Sequence, residues 1–227
     1  MFIISASAHE YSHAKTAYNF GDKTARDLGR LTLNPFAHID ILGTVILPLL
    51  AALTGIPIIG WMKAVPVNPN NFKNFERDQA IVSFAGPFAN LIIAFISFII
   101  MKILTFPIKG VFIINKLIII LQSNDNAITN IILNIIPIFL AILFMSYTIN
   151  IMLVFFNLLP FPPLDGGWIL RFFLSPKGKN TYDKIYPYGF LILYALLFFG
   201  ILRTILSFIQ NISSYLLGDT FKTILSI

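Results

Sequence analysis

The chain has no cysteine, two glutamates and three histidines among its 227 residues. Without cysteine there can be no disulfide, no thiolate metal site and no thiol nucleophile. Charge of either sign is scarce. Asp, Glu, Lys and Arg make up 11% of the chain, against about 25% in an average soluble domain. That shortage excludes a soluble globular enzyme and a disordered chain. Any metal site must be drawn from His9, His13, His38, Glu10, Glu76 and the aspartates, so each of these is worth weighing singly.

Apolar residues are plentiful: 57% of the chain is hydrophobic and the mean hydropathy is +0.81. These values point to a polytopic membrane protein with the lipid bilayer as its solvent. The length allows a single bundle of about four to six membrane helices. The net charge of +6, from 16 basic and 10 acidic residues, reads as orientation charge on loops. No nucleic-acid partner is expected.

Residues 79–105, 128–159 and 188–209 are apolar enough to cross a bilayer as helices. Residues 1–20 start apolar and then meet His9, Glu10 and His13. This opening stretch is no signal peptide, since it lacks a basic leader. Residues 41–62 are apolar but interrupted by Gly43, Pro48, Gly55, Pro57 and Gly60. Such a segment suits a broken, re-entrant hairpin packed against protein. A short interfacial helix or tight loop is expected over 107–126, a polar Pro/Gly-rich loop over 160–186, and an amphipathic tail over 210–227. The loops 15–40, 63–78 and 171–186 hold eleven of the sixteen basic residues. If 41–62 enters and returns, all three loops share one face, which the positive-inside rule makes cytoplasmic. The expectation is one all-α domain over 1–227, a multi-pass helical bundle in the cell membrane. It has four crossing helices (1–20, 79–105, 128–159, 188–209), a hairpin at 41–62 and short extended loop segments.

His9-Glu10-Tyr11-Ser12-His13 spells H-E-x-x-H. On a helix, residues four apart lie one above the other, so both imidazoles can face one ion. Zinc accepts imidazole nitrogen readily. Glu10 can reach a metal-activated water as general base. Random placement of so few His and Glu would produce the pattern about 3 times in 10,000, so the spacing reads as a site. Ionisable groups inside a membrane segment also point to function. A catalytic zinc needs a third protein ligand and an open position. His38, Asp40, Asp125 and Asp165 are the candidates. Asp165 follows three prolines and precedes two glycines. That run can end a helix and turn a carboxylate back into the bundle; an ordinary Asp-Gly turn is the competing reading.

These residues resemble a family. His9–His13 together with Asn157-x-x-Pro160 and Leu164-Asp165-Gly166 look like the two signature motifs of the site-2 protease family of intramembrane zinc metalloproteases. Gly86-Pro87-Phe88-Ala89-Asn90 resembles its G-x-x-x-N helix motif. Gly29 through Asp40, with Val65-Pro66-Val67-Asn68-Pro69, is similar to the small bacterial subgroup without PDZ or CBS modules. The resemblance covers roughly residues 1–210. It implies a three-helix catalytic core and one catalytic Zn2+ held by His9, His13 and Asp165, with Glu10 as base. It implies a transmembrane protein or peptide as substrate and an active site nearer the cytoplasmic side. It also implies that Asn157 touches substrate backbone or the oxyanion. Asn157, Asn150 and Ser146 share a helix stripe, and Asn90 stands four residues after Gly86. Asn150 and Asn90 are therefore further candidates for substrate contact; helix–helix hydrogen bonding competes for Asn150, and close packing accounts equally well for Gly86.

Eight residues precede His9, about 12 Å of helix, where the family carries more apolar sequence. The expected start therefore lies upstream of Met1. The alternative function is a membrane transporter or metal-permeation protein with an intramembrane His/Asp site. Such folds usually show paired inverted repeats, and this sequence has one broken segment and no repeat.

Overall fold

The computed structural model describes residues 1–55, 60–104 and 127–218, with side chains omitted at a few positions of the last stretch. Among them every regular element is helical. The loop expected at 107–126, with Asp125, and the end of the tail lie outside the described residues.

Helix α1 (Phe2–Asn19) turns Ser5, Ala6, Ser7, His9, His13, Ala14 and Ala17 inward. Small residues on that face let backbones approach closely. The helix stops at Gly21, whose φ of +103° suits glycine. A short α2 (Thr24–Asp27) and a 3-10 turn (Pro35–His38) follow.

The next segment is a hairpin. A π-helical turn (Ile41–Ile46) leads into α3 (Leu47–Thr54), which ends on Gly55 at φ +69°. The chain then comes back to where it left. Trp61 N–H donates to the Gly43 carbonyl at 3.1 Å and Lys63 N–H to the His38 carbonyl at 2.9 Å. Thr44 Oγ1 donates to the Trp61 carbonyl at 2.8 Å. A Cβ on Gly43 would stand 2.6 Å from the Trp61 ring, so glycine is needed for the closure. Residues 62–68 continue as extended chain.

Helix α4 (Phe75–Leu104) begins earlier than hydropathy indicates. Asn74 caps it by accepting from Arg77 N–H at 3.2 Å, and Asp78 reaches back to the Asn74 N–H at 3.0 Å. These caps extend the helix past the apolar run. Its buried stripe, Val82, Gly86, Asn90, Ala94, Ser97 and Met101, follows helical spacing. It packs along α1 on one side and α5 (Ala127–Asn157) on the other. Ala94 and Met101 meet Leu143 and Tyr147 there. The outer face of α4, with Phe84, Phe88, Leu91, Ile92, Phe95 and Ile96, is exposed, as a lipid-facing surface requires.

Residues 160–186, expected as loop, hold two helices, α6 (Asp165–Phe173) and α7 (Pro176–Ile185). Gly166 and Gly167 do not reverse the chain: neither has positive φ. They serve close packing. A Cβ on Gly166 would strike the Leu158 carbonyl, and one on Gly167 the Tyr182 hydroxyl. Residues 188–209 do not form one helix either. Gly200, at φ +72°, separates α8 (Gly189–Phe198) from α9 (Ile201–Leu217), and the chain bends by 68° there. Gly200 N–H closes onto Leu197 O at 3.0 Å, a turn that left-handed glycine allows. Leu193 and Leu202 across the bend pack on Leu164.

Among the described residues, Phe75–Leu104 and Ile138–Asn157 are each long and apolar enough to cross a bilayer, and the bent pair makes a third candidate span. The chain is an all-α membrane protein.

Candidate metal centre

Three elements converge on one point. The H-E-x-x-H turn of α1 supplies His9 and His13 on its buried face. The proline run after α5 leads into α6, whose first residue is Asp165. Helix α4 closes the third side with Val82, Gly86 and Asn90.

His9 Nε2 lies 3.2 Å from Asp165 Oδ2, His13 Nε2 lies 3.4 Å from it, and the two Nε2 atoms are 2.9 Å apart. The rings meet edge to face at 4.5 Å. The other nitrogen of each ring is engaged. His9 Nδ1 bonds Asn90 Oδ1 at 2.6 Å and His13 Nδ1 bonds the Val82 carbonyl at 2.7 Å. Both partners are acceptors, so both Nδ1 atoms carry the proton and both Nε2 atoms present lone pairs. Asp165 Oδ2 is buried without a hydrogen-bond partner. Three acceptor atoms thus face one another, all within 4.8 Å. Such an array repels itself unless a cation sits at its centre, and its donor set of two neutral imidazoles and one carboxylate suits zinc. Gly86 keeps the space open: a Cβ there would stand 2.6 Å from His9 Nε2 and closer still to His13 Nε2.

The three residues line a cavity of about 840 Å³, shared with Glu10, Asn157, Trp168 and the extended stretch Trp61–Val65. Glu10 Oε2 accepts the Val65 N–H at 2.7 Å. Asn157 bonds back to the Leu153 carbonyl through Nδ2 at 2.9 Å. Asn90 and Asn150 do not line the cavity; both are fully buried behind it.

Among the described residues, the other candidates for third ligand have their own partners. His38 is buried with Nε2 on the Thr32 carbonyl at 2.8 Å. Asp40 caps the hairpin by accepting from Gly43 N–H at 2.8 Å. Neither joins the cluster. Sequence reasoning did not find the Val82 carbonyl and Val65 N–H, which are main-chain atoms and leave no mark in residue identity. It also missed Asp22 and Arg30. Arg30 Nη2 donates to the Lys63 carbonyl at 2.7 Å. Asp22 accepts from Asn68 N–H and Asn71 Nδ2, each at 2.8 Å, and from Thr24. Burial pushes the Asp22 carboxyl up, and these hydrogen bonds outweigh it, holding it below the usual carboxylate range.

Comparison with known proteins decides the family. The sequence profile of peptidase family M50 matches residues 1–200. The chain belongs to this family, the site-2 protease family. It is 34% identical over 191 residues to "Putative zinc metalloprotease YwhC" of Bacillus subtilis, covering 84% of this chain and 74% of that protein. It is 29% identical over 234 residues to "Putative zinc metalloprotease Rip2" of Mycolicibacterium smegmatis, covering 96% and 75%. Rip2 of Mycobacterium tuberculosis matches at 29% over 181 residues, with 58% of its length covered. No solved structure matches the chain. The site-2 protease chain is a zinc metalloprotease.

Proposed function

We propose that the protein is an intramembrane endopeptidase, hydrolysing peptide bonds in or near transmembrane segments of membrane proteins. The observation that carries this reading is the position of the three converging lone pairs. They lie in a cavity walled by helices whose outer faces suit lipid, so a substrate reaches them at membrane depth.

His9, His13 and Asp165 hold the zinc. Bound there, zinc supplies Lewis-acid activation of a water and of the scissile carbonyl. Glu10 is the general base. The Val65 N–H fixes one of its oxygens, and the other takes the water proton and returns it to the leaving amide nitrogen. Asn157 lines the cavity and has one amide N–H beyond its bond to Leu153 for the oxyanion or the substrate backbone. A helical substrate must unwind before its carbonyl can be attacked. The extended stretch 62–68 borders the cavity and offers main-chain groups for strand pairing. The site lies nearer the cytoplasmic side, a reading that rests on the basic loops and the positive-inside rule.

The test is zinc content and cleavage of a single-span substrate in proteoliposomes. The natural chain should hold one zinc and cleave. Glu10→Gln keeps the zinc and loses cleavage by at least about 100-fold, and His13→Ala loses both. Cleavage by Glu10→Gln at the natural rate would remove the base assignment. A natural chain that moves zinc across the bilayer without cutting would favour a transporter.

A further inference from the structure

We infer that Asn90, locked by Asn150 and Ser5, is a positioning residue that dictates which nitrogen of His9 faces the metal. The inference rests on the zinc site proposed above.

An asparagine amide can in principle present either its oxygen or its nitrogen to His9, and the choice reverses the tautomer. Here the surroundings decide it. Asn90 Nδ2 donates to the Ser5 carbonyl at 3.1 Å and to Asn150 Oδ1 at 2.7 Å. Both its N–H bonds have acceptors, so Oδ1 is left for His9. Asn150 is pinned in turn. Its Nδ2 donates to Ser5 Oγ at 2.9 Å and to the Ser146 carbonyl at 2.8 Å. Turning Asn150 over would set its amide NH2 against that of Asn90. The network joins α1, α4 and α5. Ser5, Asn90 and Asn150 are all essentially inaccessible, so water cannot substitute for a lost partner. Neither asparagine lines the cavity, which removes a direct substrate role.

The two imidazoles are therefore fixed by different means. His13 answers to a main-chain carbonyl, which no side-chain change deletes. His9 answers to a side chain, so its orientation can be altered by mutation. Partners of this kind commonly change metal affinity 10- to 100-fold.

The experiment titrates Zn2+ against a competing chelator in the full-length purified chain, alongside thermal unfolding of each variant. Asn90→Ala should weaken zinc about 10- to 100-fold. Asn150→Ala, which removes one of the two acceptors that hold the Asn90 amide, should weaken it less, in the same direction. Asn90→Asp keeps an acceptor for His9 but sets its second oxygen against Ser5 O and Asn150 Oδ1. It should lose stability while keeping zinc affinity, a separation that a merely structural role would not produce. In a His9→Ala background, Asn90→Ala should cause no further loss. Natural zinc affinity in Asn90→Ala, or an equal loss with and without His9, would overturn the positioning role. Zinc binding unaffected by His9→Ala would instead overturn the site itself.

Discussion

Gly86 shows how one missing side chain governs a site. Its Cβ would occupy the space in front of both Nε2 atoms, and neither ring can swing away because each Nδ1 is anchored. Gly86→Ala should therefore lower zinc affinity by at least about 10-fold and abolish cleavage, while overpacking lowers stability by about 1–3 kcal/mol. Zinc titration and thermal unfolding of the variant measure the two effects separately. A variant that binds zinc normally would show that the rings can move. At this scale much was legible. H-E-x-x-H declares its geometry because helical spacing places its side chains without knowledge of the fold. Asp165 was legible as a candidate, but its choice over His38 and Asp40 needed tertiary contacts. Asn90 was visible as a polar residue at membrane depth, yet sequence could not tell a residue facing the cavity from one behind the ligand. The pair Gly166–Gly167 was ambiguous for a related reason: glycine reports a need for small size or for unusual φ, and only the structure separates the two.

Among the elements, the extended stretch 62–68 depends most on its neighbours, having no sheet to hold it. His38 O and Arg30 tie it at Lys63, Glu10 at Val65, and Asp22 at Asn68. Asp22 also binds Asn71 and Thr24, so its loss strands several donors. Asp22→Asn should reduce stability by about 2 kcal/mol and raise KM for a peptide substrate, with zinc content unchanged. The sign with pH follows from the depressed carboxyl. The stabilisation is complete above the unfolded value near 3.9 and is lost as pH falls through the lower folded value. The gap in Tm between the natural chain and Asp22→Asn should be full at pH 6 and shrink below about pH 4. A gap that widens on acidification would contradict this. Element type was readable from apolar runs, but breaks were not. Over 188–209 hydropathy is continuous, and the bend rests on Gly200 alone. Over 75–78 the helix is made by capping side chains, which hydropathy scores as loop.

The arrangement of the whole molecule turns on the three basic loops. They are bonded to one another. Asp22 of the first holds Asn68 and Asn71 of the second. Glu76 of the second, in the first turn of α4, meets Lys179 of the third at 2.6 Å, and Arg171 closes the group through Asp183 at 2.7 Å and Glu76 at 3.7 Å. Such contacts require all three loops on one side of the bilayer, and the return of residues 41–63 to their starting point satisfies that requirement. These ion pairs join a half-buried Arg171 and Lys179 to the more exposed Glu76 and Asp183; their meaning here is topological. The absence of cysteine makes the arrangement directly measurable, since any introduced thiol is unique. Lys23, Lys73 and Lys177 are exposed, one on each loop. Lys23→Cys, Lys73→Cys and Lys177→Cys should each react with a membrane-impermeant thiol reagent in inside-out vesicles and stay unlabelled in intact cells, because eleven basic residues favour the cytoplasmic face. Were Lys23→Cys and Lys73→Cys labelled from opposite sides, the hairpin would have to span. The Asp22 contacts to Asn68 and Asn71 would then be lost with it, and so would the support of the extended stretch beside Glu10.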